Sequence, residues 1–128
     1  MTTYVVLLPG VEDAWEQATA EQQAQVFSRH EEFARLLTER GHRITAGEEL
    51  THSRTAKQVS RDPAGRTVVT DGPFAETAEQ LSGFYVVESD DLDDLLQICA
   101  VLAEDPAAGN VGIPVEVRAA VDHTADGG

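Results

Sequence analysis

Basic residues are scarce in this sequence: nine lysines and arginines stand against 23 aspartates and glutamates, for a formal net charge of -14. A surface that negative repels a phosphate backbone, so nucleic acid is not an expected partner. Cysteine occurs once, at Cys99, and a lone thiol closes no internal disulfide and supplies no thiolate zinc cluster. No apolar run approaches the roughly 20 residues that a membrane span needs. The opening Met1-Thr2-Thr3-Tyr4 has neither the basic nor the apolar stretch of a secretory signal. Together these absences predict a cytoplasmic chain without membrane contact. Gly-rich phosphate loops, a nucleophile elbow and any flavin, nicotinamide or haem signal are also missing. Any enzyme here is therefore expected to work without a cofactor.

What remains is ordinary globular material. At 128 residues, 41% of them hydrophobic, the chain is long enough to bury a core without disulfide or metal, and one domain over 1–121 is expected. Asp122 to Gly128 reads as a polar, flexible tail.

The apolar run Tyr4 to Leu8, closed by Pro9-Gly10, predicts a first strand buried on both faces. A helical pattern follows from about Ala14 to Arg40, with Val26, His30, Phe33 and Leu37 on one face beside Phe27 and Ala34, and Gly41 as its stop. Its Glu- and Gln-rich beginning, Glu12 to Gln25, also fits a separate short helix. His42 to Leu50 predicts a second strand, and the runs Thr55 to Ser60 and Arg66 to Thr70 flank Asp62-Pro63-Ala64-Gly65 as a hairpin. Asp71-Gly72-Pro73 makes a rigid turn before a strand from Gly83 to Glu88, in which Phe84, Val86 and Glu88 face one way and Tyr85 and Val87 the other. Ser89-Asp90-Asp91 caps a helix from Leu92 to Ala103, buried through Leu92, Leu95, Leu96, Cys99 and Leu102. Val111 to Arg118 predicts the last strand, which Pro114 confines to an edge or a bulge.

This order is the split βαβ plan of an α+β, ferredoxin-like fold with an inserted β-hairpin. Two helices cover one face of such a sheet. The other face needs a cover, and a second copy is the simplest one, so a homodimer is expected. The hairpin or the Glu12 to Gln25 segment folding across is the other possible cover.

His30 is the leading candidate for chemistry, because an imidazole on an apolar stripe needs a hydrogen-bond partner. It reads either as a satisfied core histidine or as a general acid-base group whose pKa a nearby carboxylate would raise. Asp105, before Pro106, is a turn residue by itself and a possible partner of His30. Asp71 has a turn role or that of a second acid, Phe74 would wall an adjoining pocket, and Tyr85 is taken as ligand-binding with it; Glu76 reads as solvated. No metal site is expected, since His42 and His52 lack a third ligand and Asp90 to Asp94 suits helix capping better than calcium. Trp15 reads as a packing residue. A strongly anionic substrate is disfavoured unless Arg35, Arg43 or Arg118 gathers near the pocket.

Asp71-Gly72-Pro73-Phe74-Ala75-Glu76-Thr77, with Glu79-Gln80-Leu81 and Gly83-Phe84-Tyr85 after it, resembles the signature of the DGPF subgroup of the YCII-related proteins. The resemblance runs from Tyr4 to Val115-Glu116-Val117-Arg118 and implies a dimeric α/β barrel. It also implies a catalytic His on the first helix and an Asp before Pro near the last strand, which fall on His30 and Asp105. One related enzyme type dehydrochlorinates a chlorinated hydroxyquinol, so a lyase acting on a small organic molecule is implied by analogy. Some DGPF proteins are linked to extracytoplasmic-function sigma factors, which makes a ligand-binding or regulatory module the alternative.

Overall fold

The computed structural model describes residues 1–72 and 80–124. The turn beyond Gly72, with Phe74 in it, and the end of the expected tail lie outside the described residues. Nine elements follow in order: β1 (Thr2–Gly10), α1 (Glu12–Gln17), α2 (Ala20–Glu39), β2 (Arg43–Glu49), β3 (Lys57–Arg61), β4 (Thr67–Asp71), β5 (Gln80–Ser89), α3 (Leu92–Cys99) and β6 (Glu116–Ala119). Four strands form an antiparallel sheet in the order β2-β5-β1-β6, and β3 and β4 pair as a separate ribbon. Because β5 separates β1 from β2, the chain has the α+β, ferredoxin-like plan with its inserted hairpin.

Local chemistry sets the helix limits. The long helical stretch divides at Thr19, where a capping box begins α2: the Thr19 hydroxyl accepts from the Gln22 N–H at 3.1 Å, and the Gln22 side chain accepts from the Thr19 N–H at 2.8 Å. Gly41, at φ 83°, ends α2 in the left-handed region. α3 is shorter than its apolar pattern suggests, and a 3₁₀ turn over Ala100–Leu102 completes it. Its buried stripe is Leu95, Ile98, Cys99 and Leu102, whereas Leu92 and Leu96 are exposed. The buried face of α3 is thus turned about the helix axis towards Ile98 relative to the expected stripe. The last strand is also shorter: Val111 to Val115 forms a turn and loop, and pairing with β1 begins only at Glu116, beyond the proline that cannot donate. β6 is nonetheless an edge strand.

The core lies between the sheet and the helices. Val6 and Val87 from the two central strands meet Phe33 and Leu37 of α2 and Leu95 and Ile98 of α3, with essentially no accessible surface. Alternation places Tyr85, Val87 and Ser89 on this side and leaves Phe84 and Val86, opposite Leu7 and Val5, on the face without helices. Burial raises the Cys99 thiol pKa to about 11, which makes it an unreactive packing group. Among the described residues no helix is long and apolar enough to cross a membrane.

A polar clamp closes one end of this core. The buried His42 meets the Ser89 hydroxyl through Nδ1 at 2.8 Å and the Asp94 carboxylate through Nε2 at 2.7 Å, and Arg40 Nη1 donates to the other Asp94 oxygen at 2.8 Å. One imidazole thereby ties the start of β2 to the end of β5 and the first turn of α3. The His42 hydrogen bond, with Arg40, holds the Asp94 carboxyl below its ordinary value of 3.8. The stabilisation from that shift is complete above the ordinary value and is lost as pH falls through the depressed one.

Phe33→Ala should cost about 3 to 5 kcal/mol in urea unfolding, because it opens a cavity in the most enclosed layer. His42→Ala should cost about 2 to 3 kcal/mol, since it removes both hydrogen bonds of the clamp and leaves a cavity where the buried imidazole stood. A cost for His42→Ala below that of an exposed surface substitution would show the clamp to be idle.

Candidate active site

A cavity of about 950 Å³ opens where α1, the first half of α2, the end of β2 and the start of β5 converge. Trp15, Val26, Phe27, His30 and Tyr85 line it, with Glu12, Glu16, Glu48 and Glu49 contributing acid groups. Its walls are mainly apolar and its polar groups few, as a small-molecule pocket requires.

His30 reaches the cavity because it lies one helical turn after Val26 on the face that buries Phe33 and Leu37. Tyr85 reaches it from β5. The two meet at 2.7 Å between His30 Nδ1 and Tyr85 Oη, and the Tyr85 ring also lies 5.0 Å from Phe33, centroid to centroid. Among the described residues His30 Nε2 has no hydrogen-bond partner, and no partnerless side-chain nitrogen or oxygen is sealed from solvent, so Nε2 is open to the cavity.

Gly47 makes the arrangement possible. It lies opposite Tyr85 in the β2–β5 register, and a Cβ there would come within 2.7 Å of the tyrosine ring. A glycine inside a strand here marks the close approach of an aromatic side chain.

Burial pushes the His30 pKa below its ordinary 6.5, and the charges of Asp105 and then Glu49 partly oppose that shift. The expected rise caused by a carboxylate is thus present but smaller than the desolvation of the imidazole. Tyr85 moves upward from 10 for the same reason, burial. At neutral pH the pair is therefore a neutral imidazole hydrogen-bonded to a neutral phenol.

Asp105 is buried, but it acts on His30 through space. One of its oxygens accepts the Ala107 N–H at 3.2 Å, capping the 3₁₀ turn after it, and the other lies 3.4 Å from Arg29 Nε. Its own N–H donates to Asn110 Oδ1 at 2.6 Å, and Asn110 donates in turn to the Leu102 carbonyl at 2.8 Å. Gly109, at φ 73°, brings this loop against Val11, whose N–H donates to the Gly109 carbonyl at 2.7 Å. Thus Asp105 belongs to the loop that braces the cavity floor. Asp71 lies in the hairpin, strongly exposed and ion-paired with Lys57, and does not line the cavity. Phe74 lies outside the described residues.

Arg35, Arg43 and Arg118 do not line the cavity; Arg35 pairs with Glu39 at 3.0 Å along α2. Arg54 does, and its guanidinium is ion-paired with Glu16 at 2.6 Å. Trp15, expected as a packing residue, instead forms part of the wall, edge-on to Phe27 at 5.5 Å and 86°. No sequence signal marked it, because α1 has no buried residue to define a face.

Two other clusters do not include the His30–Tyr85 pair, although Glu16 and His52 of the first also line the cavity. Among the described residues, Asp13, Glu16 and His52 could offer a metal three donor atoms within 4.8 Å of one another. Glu16 is already paired with Arg54, and His52 Nδ1 accepts the Arg54 N–H at 3.1 Å, so they form an ion-pair network. Ser89, His42 and Asp94 include the side chains of a hydrolytic triad, but Ser89 is 1% exposed and its hydroxyl also accepts the Asp91 N–H at 3.0 Å. No substrate reaches that serine.

The family model described as YCII-related domain matches residues 2–120. An uncharacterized protein of Rhizobium meliloti (strain 1021) is 46% identical over 57 residues, which are 44% of this chain and 46% of that protein. The match therefore spans about half the length of this curated relative.

NMR titration should find His30 titrating below 6.5, and Asp105→Asn should lower its pKa further by removing a favourable charge. A value unchanged in Asp105→Asn would refute the through-space coupling. Gly47→Ala should displace the Tyr85 ring and shift the His30 resonances, with a stability loss of about 1 to 3 kcal/mol from overpacking.

Proposed function

The chain belongs to the YCII-related domain family, and we propose that it binds a small organic molecule in the cavity beside His30 and moves a proton on it without a cofactor. The observation that carries this reading is the 2.7 Å contact of His30 Nδ1 with Tyr85 Oη at the cavity wall, which leaves Nε2 facing the occupant.

In the tautomer that carries its proton on Nδ1 and donates it to the tyrosine oxygen, His30 presents a lone pair at Nε2. That nitrogen takes a proton from the bound molecule, and the resulting imidazolium is stabilised by the charges of Asp105 and Glu49. The Tyr85 hydroxyl keeps its own proton, which it can donate to an oxygen on which negative charge develops. Proton removal followed by loss of a leaving group is a lyase-type reaction, in accord with the resemblance of the sequence. Asp105 acts on His30 as a positioning charge.

A second reading, a non-catalytic ligand-binding module that reports to a sigma factor, needs the cavity but not the proton transfer. The acid-base geometry favours the enzyme, and a screen of phenolic and dicarbonyl compounds separates the two. For a turned-over compound, kcat should rise with pH through the depressed His30 value, below 6.5, and stay level until Tyr85 ionises above 10. His30→Gln should reduce kcat by about 100-fold or more while binding changes little. Ligands that bind but never react, with the same affinity in His30→Gln, would favour the binding module.

The same proposal includes a homodimer formed through the face without helices, where Val5, Leu7, Phe84 and Val86 form the apolar centre. Analytical ultracentrifugation should give about twice the 13.8 kDa chain mass. Val86→Lys should return it to a monomer that is still folded by circular dichroism. A wild-type monomer at high concentration would exclude the pairing.

A further inference from the structure

We infer that the occupant of the cavity is an organic cation, an amine or quaternary ammonium carried on an aromatic body. This rests on the reading that the cavity binds a small organic molecule, and it narrows the chemistry of that molecule. Four glutamates line the cavity against a single arginine. That arginine is used: Arg54 Nη1 lies 2.6 Å from Glu16. Glu12, with its side chain 12% exposed, accepts the Ser53 N–H at 2.6 Å and faces His52 at 3.8 Å, so its charge lies deep and is only partly answered.

Glu49 is the carboxylate left for a ligand. It pairs with Gly83 in the β2–β5 register, two residues along β2 from the Gly47–Tyr85 pair, so it projects from the same side of the sheet as Tyr85. Gly83 has no side chain to cover it. Glu49 already acts on His30 by its charge, which places its field inside the cavity. Among the described residues no cation pairs with it.

The helices supply rings to the wall. Trp15, edge-on to Phe27, offers an aromatic surface on which a ligand ring stacks and to which a cation is drawn. An anion of the same shape would meet Glu49 and Glu12 with no unpaired arginine to offset them. The net charge of -14 adds a long-range field that concentrates cations at the protein.

Trp15 is the single tryptophan of the chain, so its emission reports the cavity directly. The full-length protein is titrated with three molecules of one shape, 2-phenylethylammonium, 2-phenylethanol and 3-phenylpropionate, with calorimetry to confirm each Kd. The cation should bind about tenfold tighter than the alcohol and the anion weakest. Glu49→Gln, at an exposed strand position, should erase the preference for the cation over the alcohol and leave alcohol binding unchanged; Glu12→Gln should weaken that preference. Equal or tighter binding of the anion, or a cation preference that survives both substitutions, would overturn the inference while leaving the binding cavity intact. If none of the three changes the emission or the heat, the small-molecule reading itself fails, and this inference with it.

Discussion

Tyr85 stands at the boundary between the core and the cavity. Its ring lies against Phe33, a residue with no accessible surface, while its hydroxyl meets His30. The position of the candidate base is therefore set by the same packing that stabilises the fold. α2 contributes both Phe33 and His30 from one face, and β5 contributes Tyr85 from the face that also carries Val87. Gly47 on the neighbouring strand leaves the ring its room. Any change that loosens the layer between α2 and β5 would also loosen the 2.7 Å contact, so stability and proton transfer share one set of side chains.

Electrostatics sets the working state of the site through opposing effects. Burial disfavours the imidazolium, and the charges of Asp105 and Glu49 favour it; burial is the larger, so His30 is neutral at pH 7. A base held below its ordinary pKa is unprotonated when a substrate arrives, yet the nearby carboxylates still stabilise the charge it gains on accepting a proton. Because the unfolded chain binds a proton on His30 more readily, this residue makes the fold less stable as pH falls from 6.5 towards the depressed folded value. The Asp94 carboxyl adds a further loss of stability only at lower pH.

The buried His42 and the half-buried His30 illustrate how environment assigns a role. His42 spends both ring nitrogens on Ser89 and Asp94 and joins three elements. His30 spends one and keeps the other towards the cavity. The hairpin of β3 and β4 takes no part in either cluster: its Lys57–Asp71 pair is exposed, and Val59 and Val69 face solvent.

The strand and helix order was legible in the sequence because apolar spacing follows the periods of a strand and a helix, and Gly41 marks the end of the long helix chemically; the Thr19 cap that divides it was not read. The α+β plan, the side of β5 on which Tyr85 lies, and the placing of His30 on the buried face of α2 all came from that local pattern. What local pattern could not supply was contact across the chain. His30 and Tyr85 are 55 residues apart, and their meeting depends on the crossing of α2 over β5. The turn role of Asp105 was readable from the proline after it, whereas its pairing with Arg29 was not. The rotation of α3 towards Ile98 arises from how the helix seats on the sheet, and the late start of β6 follows the proline before it. Periodicity and turn chemistry act between near neighbours, so the sequence alone determined the elements. Burial, and hence the protonation state of His30 and the glutamate-lined cavity around it, exists only once those elements are assembled, and tertiary structure decided both.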